Sequence, residues 1–280
     1  MKNSLYRFPA IFHPAHRVSF RGLIPDRDYT ESGQARRKSN LLIKESWLFM
    51  IDQRLTLVLM AGLRATGKTT LAKELSYALG WPVINRDMIK ACLLTASGIM
   101  TEDTVGEIAQ KLSLSVPQPQ WPMLRHDWFR DRLTYYLETG EEMTDDKAGE
   151  VSYNLSFDLI KYSLKSQNVS VILDTGTHHP FILQNAERIA YDADAAIKTI
   201  HCMVSNDIRC QRLAKREPYP AFMKGRETPS DEASHNSFHQ SLHPKLSLDT
   251  STSLENNLIE ATKYVLESSL YVVELVAAGC

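Results

Sequence analysis

The sequence predicts an α/β fold, a three-layer sandwich on a parallel sheet that carries a helical insert and a mobile lid. Three observations carry that prediction. The apolar run Leu55-Thr56-Leu57-Val58-Leu59-Met60-Ala61 passes straight into a glycine-bounded loop and then into a helical pattern from Leu71 to Leu79. A second run, Val169-Ser170-Val171-Ile172-Leu173-Asp174, has the β-branched composition of a strand buried on both faces. Around these runs, strand-like and helix-like segments alternate, as they do when helical crossovers join parallel strands.

The elements follow in order. After the first helix, Trp81-Pro82-Val83-Ile84-Asn85-Arg86-Asp87 reads as a short strand with a polar end, and a helix is expected from Met88 to Leu94. The stretch from Thr101 to Gln167 is mostly helical, broken at Val116-Pro117-Gln118-Pro119 and at Glu138-Thr139-Gly140. Beyond the strand ending at Asp174, a helix is expected around Pro180 to Ala190, a strand from Ile197 to Val204 and a helix from Asp207 to Arg216. Residues 217 to 244, rich in Pro, Ser and His, read as a mobile excursion. Leu246 to Asp249 forms the last short strand and Leu254 to Ser268 the closing helix. In a sheet of this kind ligands bind beyond the carboxyl ends of the strands, where Gly62, Asp87 and Asp174 are expected to converge.

The loop after the first strand reads Gly62-Leu63-Arg64-Ala65-Thr66-Gly67-Lys68-Thr69-Thr70. This is the Gly-x-x-x-x-Gly-Lys-Thr pattern of a phosphate-binding P-loop, in the strand-loop-helix context the motif needs. Its glycines allow positive φ angles that curl backbone N–H groups around phosphate oxygens, and the following helix points its positive end at the same anion. Lys68 would reach the β- and γ-phosphates, and the Thr69 hydroxyl would take a place on Mg²⁺. The expected fold is the P-loop NTPase sandwich, with ATP and Mg²⁺ as its ligands.

Composition narrows the partners. A net charge of −1 supplies no global field for nucleic acid or membrane. No apolar run approaches the ~20 residues of a membrane span. The four cysteines form no CxxC pair, which fits a reducing compartment, and a cytoplasmic location is expected. Residues 1 to 44 nevertheless carry nine Lys or Arg against three acids. Such a start could be an organelle transit peptide, although Pro9 and Pro14 interrupt any amphipathic helix there. A disordered basic extension over residues 1 to 49 is the expectation, dispensable to a kinase-like domain over residues 50 to 280 that could begin at Met50.

Ile84-Asn85-Arg86-Asp87 followed by Lys90, then Leu173-Asp174-Thr175, then Arg209-x-x-Arg212-x-x-x-Arg216, resemble the P-loop kinases of the polynucleotide kinase and chloramphenicol phosphotransferase type. That group also takes in the zeta-toxin kinases and small kinases labelled AAA-family ATPases. The resemblance spans about residues 55 to 268 and is tightest at the strand ends. It implies a phosphotransferase that moves the γ-phosphoryl group of ATP to a hydroxyl. Asp87 matches the carboxylate that acts there as general base; a capping role on the helix from Met88 is the structural alternative. Where the family pattern has Arg three residues after that Asp, this chain has Lys90, a point charge in place of a bidentate fork. Asp174 matches the carboxylate that organises Mg²⁺, and Arg212 and Arg216 match the arginines of a closing lid near residues 206 to 245.

The acceptor is expected to be a small hydroxyl-bearing molecule, its pocket walled by the helical insert of residues 101 to 167. Trp121, Arg125, Trp128, Phe129, Arg130, Arg132, Tyr135 and Tyr136 interleave aromatics with arginines, a pattern that suits nucleic acid. Residues 101 to 165 hold seven basic and twelve acidic side chains, however, and such a surface repels a polyanion. The aromatics are expected in the insert's core. A 5′-hydroxyl of nucleic acid stays open as a second acceptor, and a nucleotide-binding regulatory module that transfers nothing as a third reading. His235, His239 and His243 stand four apart, but exposed histidines of the excursion are expected there, not a metal site. His178 and His179 follow Asp174 closely enough to lie near the cleft.

Overall fold

A computed structural model of the chain describes residues 54–95, 98–115, 126–176, 180–215 and 245–267. The elements run β1 (Thr56–Ala61), α1 (Lys68–Leu79), β2 (Val83–Asn85), α2 (Arg86–Leu94), α3 (Glu102–Ser115), α4 (His126–Tyr136) and α5 (Asp145–Lys161). A single π turn, Tyr162–Ser166, ends α5. Then follow β3 (Val171–Asp174), α6 (Pro180–Asp192), β4 (Ala196–Met203), α7 (Asn206–Lys215), β5 (Lys245–Asp249) and α8 (Leu254–Leu266). The five strands form one sheet in the order β2-β3-β1-β4-β5. Each is parallel to its neighbours.

Period-2 alternation sorts the strand residues between two helical layers. Leu57 and Leu59 of β1, with Val171 and Leu173 of β3, are buried with Ala186 and Ile189 of α6 and with the insert. Val58, Met60 and Ile172 face the other way, against Leu71 and Leu75 of α1 and Ala261 and Val265 of α8. With both faces covered, β1 is wholly apolar after Thr56, which is why its sequence reads as an unbroken run. The α/β sandwich read from the sequence is the observed fold.

Helix α1 ends where Gly80 takes a left-handed φ of 71° and donates its N–H to the Ser76 carbonyl. Only glycine adopts that conformation without a Cβ penalty, so the stop is written into the chain. In the insert, Phe129 and Leu133 of α4 are fully buried, and Trp128 meets the edge of Phe129 with ring centroids 5.1 Å apart. Tyr136 donates its hydroxyl to Asp158 of α5 at 2.6 Å. These aromatics form core, as expected, while Tyr135 stays 77% exposed. Lys198 of β4, although buried, donates to the carbonyls of Tyr264 and Glu267 and so satisfies the last turn of α8.

Two boundaries differ from expectation in ways that bear on the site. Helix α1 begins at Lys68, inside the P-loop motif, and not at Leu71. Helix α2 begins at Arg86, because Asn85 and not Asp87 is its N-cap: the Asn85 side chain accepts from the Met88 N–H. Asp87 therefore lies in the first turn of α2 and not at the end of β2. Among the described residues, no helix is long and apolar enough to cross a membrane.

Candidate active site

The P-loop follows directly from β1. Gly62 has φ 127°, and a Cβ there would sit 2.2 Å from the Cys202 carbonyl oxygen of β4. No side chain fits, so glycine is required by both conformation and space. Gly67 caps α1 with φ 85°. Ala65 also takes a positive φ, 61°, so the loop's left-handed turns are not confined to its glycines. A non-glycine residue held there marks strain kept in place by surrounding contacts. Arg64 and Thr70 are exposed, while Thr66 is buried and donates its hydroxyl to the Leu63 carbonyl at 2.8 Å.

Lys68 folds back across the loop. Its Nζ donates to the carbonyls of Gly62 and Leu63 at 2.8 and 2.6 Å. The ammonium thus lies inside the curl of backbone that could receive a phosphate chain.

The neighbouring strand supplies the carboxylate. Asp174 pairs in register with Met60 on one side and Asn85 on the other, and it is only 4% exposed. Burial pushes its carboxyl above the usual carboxylate range. The Thr69 hydroxyl, the Lys68 charge and the Asn85 amide act against that push, and the Asp87 charge adds to it. Asn85 donates to Asp174 Oδ2 at 2.8 Å. A buried carboxylate in contact with a hydroxyl is a hard-oxygen donor pair of the kind Mg²⁺ prefers, so Thr69 and Asp174 fit the ion the motif implies. The nearby Cys202 thiol is pushed up to about 12 by burial, which makes it inert packing.

At the start of α2, Asp87 is paired with its chain neighbour, Arg86 Nη1 lying 3.2 Å from Asp87 Oδ1. The Asp87 side chain is 47% exposed and Arg86 only 14%. Lys90, the residue that stands where the family has Arg, is committed elsewhere: its Nζ donates to Asp145 at 2.8 Å and ties α2 to the start of α5. Tyr153 of α5 lies beneath Arg86, its ring centroid 4.2 Å from the guanidinium carbon.

Opposite this, α7 presents Arg212 to the loop. Its Nη1 donates to Thr250 Oγ1 at 3.1 Å and toward the Ala65 carbonyl at 3.4 Å, and its Nη2 donates to the Thr250 carbonyl at 2.7 Å. Arg209 does not share that target; its guanidinium donates to Asn206 Oδ1 at the start of the same helix. The structure thus brings Lys68, Thr69, Asp87, Asp174 and Arg212 to one end of the sheet. Arg216, His178, His179, Trp121, Arg125, His235, His239, His243, residues 1 to 49 and the lid beyond Lys215 lie outside the described residues.

Two residues were missed from sequence. Asn85 joins the α2 cap to Asp174, a task that nothing in its sequence context signals. Thr250 was not singled out at all, although its hydroxyl donates to the Thr66 carbonyl at 2.7 Å and its N–H to the Met203 carbonyl at 2.9 Å.

A parallel sheet with a glycine loop, a lysine within that loop and a buried carboxylate on the next strand defines a P-loop nucleotide-binding protein of the kinase fold. The AAA domain family model matches residues 57–244, and the chain belongs to that family. No curated protein matches the sequence. Among solved structures, a kinase candidate from Chloroflexus aurantiacus is similar at 16% identity and a TM-score of 0.46, over 76% of this chain and 96% of its own. A sugar kinase from Janibacter sp. is similar at 14% identity and a TM-score of 0.41, over 75% of this chain and 94% of its own. A shikimate kinase from Bacteroides thetaiotaomicron is similar at 17% identity and a TM-score of 0.40, over 74% and 97% respectively.

Proposed function

We propose that the protein is an ATP-dependent phosphotransferase that moves the γ-phosphoryl group to a hydroxyl of a small molecule. The observation that carries this reading is the placement of a half-exposed carboxylate, Asp87, in the first turn of α2, two residues after Asn85, which donates to Asp174 Oδ2 at 2.8 Å. A hydroxyl held against Asp87 can pass its proton to the carboxylate as its oxygen bonds to the γ-phosphorus and the bond from phosphorus to the β,γ-bridging oxygen breaks.

The chain's part is chiefly placement and charge. Lys68 exchanges its two carbonyl partners for phosphate oxygens, a charge-assisted contact stronger than the one it gives up. Thr69 and Asp174 would hold Mg²⁺, which when bound neutralises phosphate charge. Asn85 keeps the Asp174 carboxylate oriented. Arg212, close to the loop through Ala65 and Thr250, and Arg216 beyond it are assigned to charge stabilisation over the triphosphate. The helical insert walls the acceptor side. Its balance of twelve acids to seven bases supports a small molecule over a nucleic acid end. We place the protein in the cytoplasm on the spacing of its four cysteines, which form no CxxC pair.

A screen of hydroxyl-bearing metabolites, nucleosides and RNA 5′ ends by ATP consumption tests the reading. A phosphorylated small molecule supports it. Hydrolysis alone across the whole panel counts for the regulatory alternative.

A further inference from the structure

We propose that Arg86 is a positioning residue: held by the insert helix α5, it fixes the carboxylate of Asp87. This rests on the reading of Asp87 as the base, and it gives the insert a second task beyond walling the acceptor.

Adjacent residues on a helix point in different directions, so contact between Arg86 and Asp87 is not a consequence of α2 itself. The guanidinium has to be turned back toward Asp87 and kept there. Three features of α5 do this. The guanidinium carbon lies 4.2 Å from the centroid of the Tyr153 ring, which gives it a face to rest on. Nη2 points at the Gly149 carbonyl at 3.4 Å. Gly149 itself has no side chain, and a Cβ there would meet Nη2 at 3.4 Å, so the guanidinium lies close against the helix.

Burial makes the arrangement selective. The Arg86 side chain is 14% exposed, and its Nε is buried with no hydrogen-bond partner among the described residues. A guanidinium removed from water is costly unless paired, and its ion pair is with Asp87. The register of α2 on α5 is fixed separately, by Lys90 on Asp145 at 2.8 Å. Arg86 is therefore not needed as the bolt between these helices. A planar, stacked fork also explains arginine here; lysine would keep the charge and hold the carboxylate less firmly.

Crystal structures with AMPPNP and Mg²⁺ of the wild type, Arg86→Gln, Arg86→Lys and Gly149→Leu test this, alongside AMPPNP affinity and basal ATP hydrolysis with water as acceptor. In Arg86→Gln the Asp87 carboxylate should leave its single orientation and basal hydrolysis should fall at least tenfold, while AMPPNP affinity changes less than twofold. Arg86→Lys should restore part of both. Should Arg86→Gln fail to fold, Gly149→Leu keeps both charges, pushes the guanidinium off α5 and should displace Asp87 in the same way. An Asp87 carboxylate in its wild-type orientation in whichever of these two variants folds overturns the proposal. The reading of Asp87 as base fails on different evidence, namely transfer that survives Asp87→Asn.

Discussion

Asn85 holds Asp174 with one end of its amide and caps α2 with the other: Nδ2 donates to Asp174 Oδ2 at 2.8 Å, and Oδ1 accepts from the Met88 N–H at 2.8 Å. Asn85→Ala should cost about 1–2 kcal/mol of stability through the lost cap, read by urea unfolding. Asn85→Asp should keep the cap but set a second carboxylate against Asp174, so ATP binding should require a different Mg²⁺ concentration from the wild type.

Asp174 makes a pH prediction whose sign runs against the usual carboxylate. Its folded-state value is raised above the ordinary 3.8, chiefly by burial. The nucleotide-free folded state therefore binds the proton more tightly than the unfolded chain. Stability from this group is present below the ordinary value and is lost as pH rises through the raised one. Without nucleotide, Asp174→Asn should be more stable than the wild type at pH 7, and the gap should close as pH falls, measured by thermal unfolding across that range. Binding of ATP with Mg²⁺ should weaken in the same variant.

Lys68→Met leaves the Gly62 and Leu63 carbonyls without their donor and removes the charge meant for phosphate. Charge-assisted hydrogen bonds of this type are worth about 1.5–3 kcal/mol. ATP affinity by calorimetry should fall by about 10- to 100-fold.

Two glycines should respond oppositely to one added methyl. Gly62→Ala forces a Cβ to 2.2 Å from the Cys202 carbonyl at a φ of 127°, and should cost more than about 4 kcal/mol or prevent folding. Gly149→Ala places its Cβ in ordinary contact, 3.4 Å from Arg86 Nη2, inside a helix. It should stabilise by about 0.5–1 kcal/mol, measured by chemical denaturation.

The fold was legible because its strands are buried on both faces and therefore read as unbroken apolar runs between glycine and helix signals. Gly62 through Thr69 was legible because loop, lysine and helix are contiguous. Thr250 was not, since its hydroxyl meets Thr66 across 184 residues and Arg212 across 38, a juxtaposition only the sheet creates. Asp87 reads in the sequence as the end of β2, because a polar residue after an apolar run looks like a strand terminus. Asn85 took the cap and began the helix two residues earlier. Lys90 pairs with Asp145 on α5, a contact between residues 55 apart that the sequence does not display.

Thr250→Val tests the tie between the P-loop and α7. The change removes the donor to the Thr66 carbonyl and one of the acceptors for Arg212 while keeping the shape. A buried carbonyl left unpaired costs about 1–3 kcal/mol. Nucleotide affinity should drop with stability in this variant, and fluorescence of a nucleotide analogue should report faster release.

Asp87→Asn, assayed with γ-labelled ATP and Mg²⁺ against the hydroxyl panel, tests the central claim most directly. The variant should bind ATP as the wild type does and lose at least about 100-fold in transfer of label to the acceptor, the size expected for removing a general base. Unchanged transfer by Asp87→Asn would contradict the account.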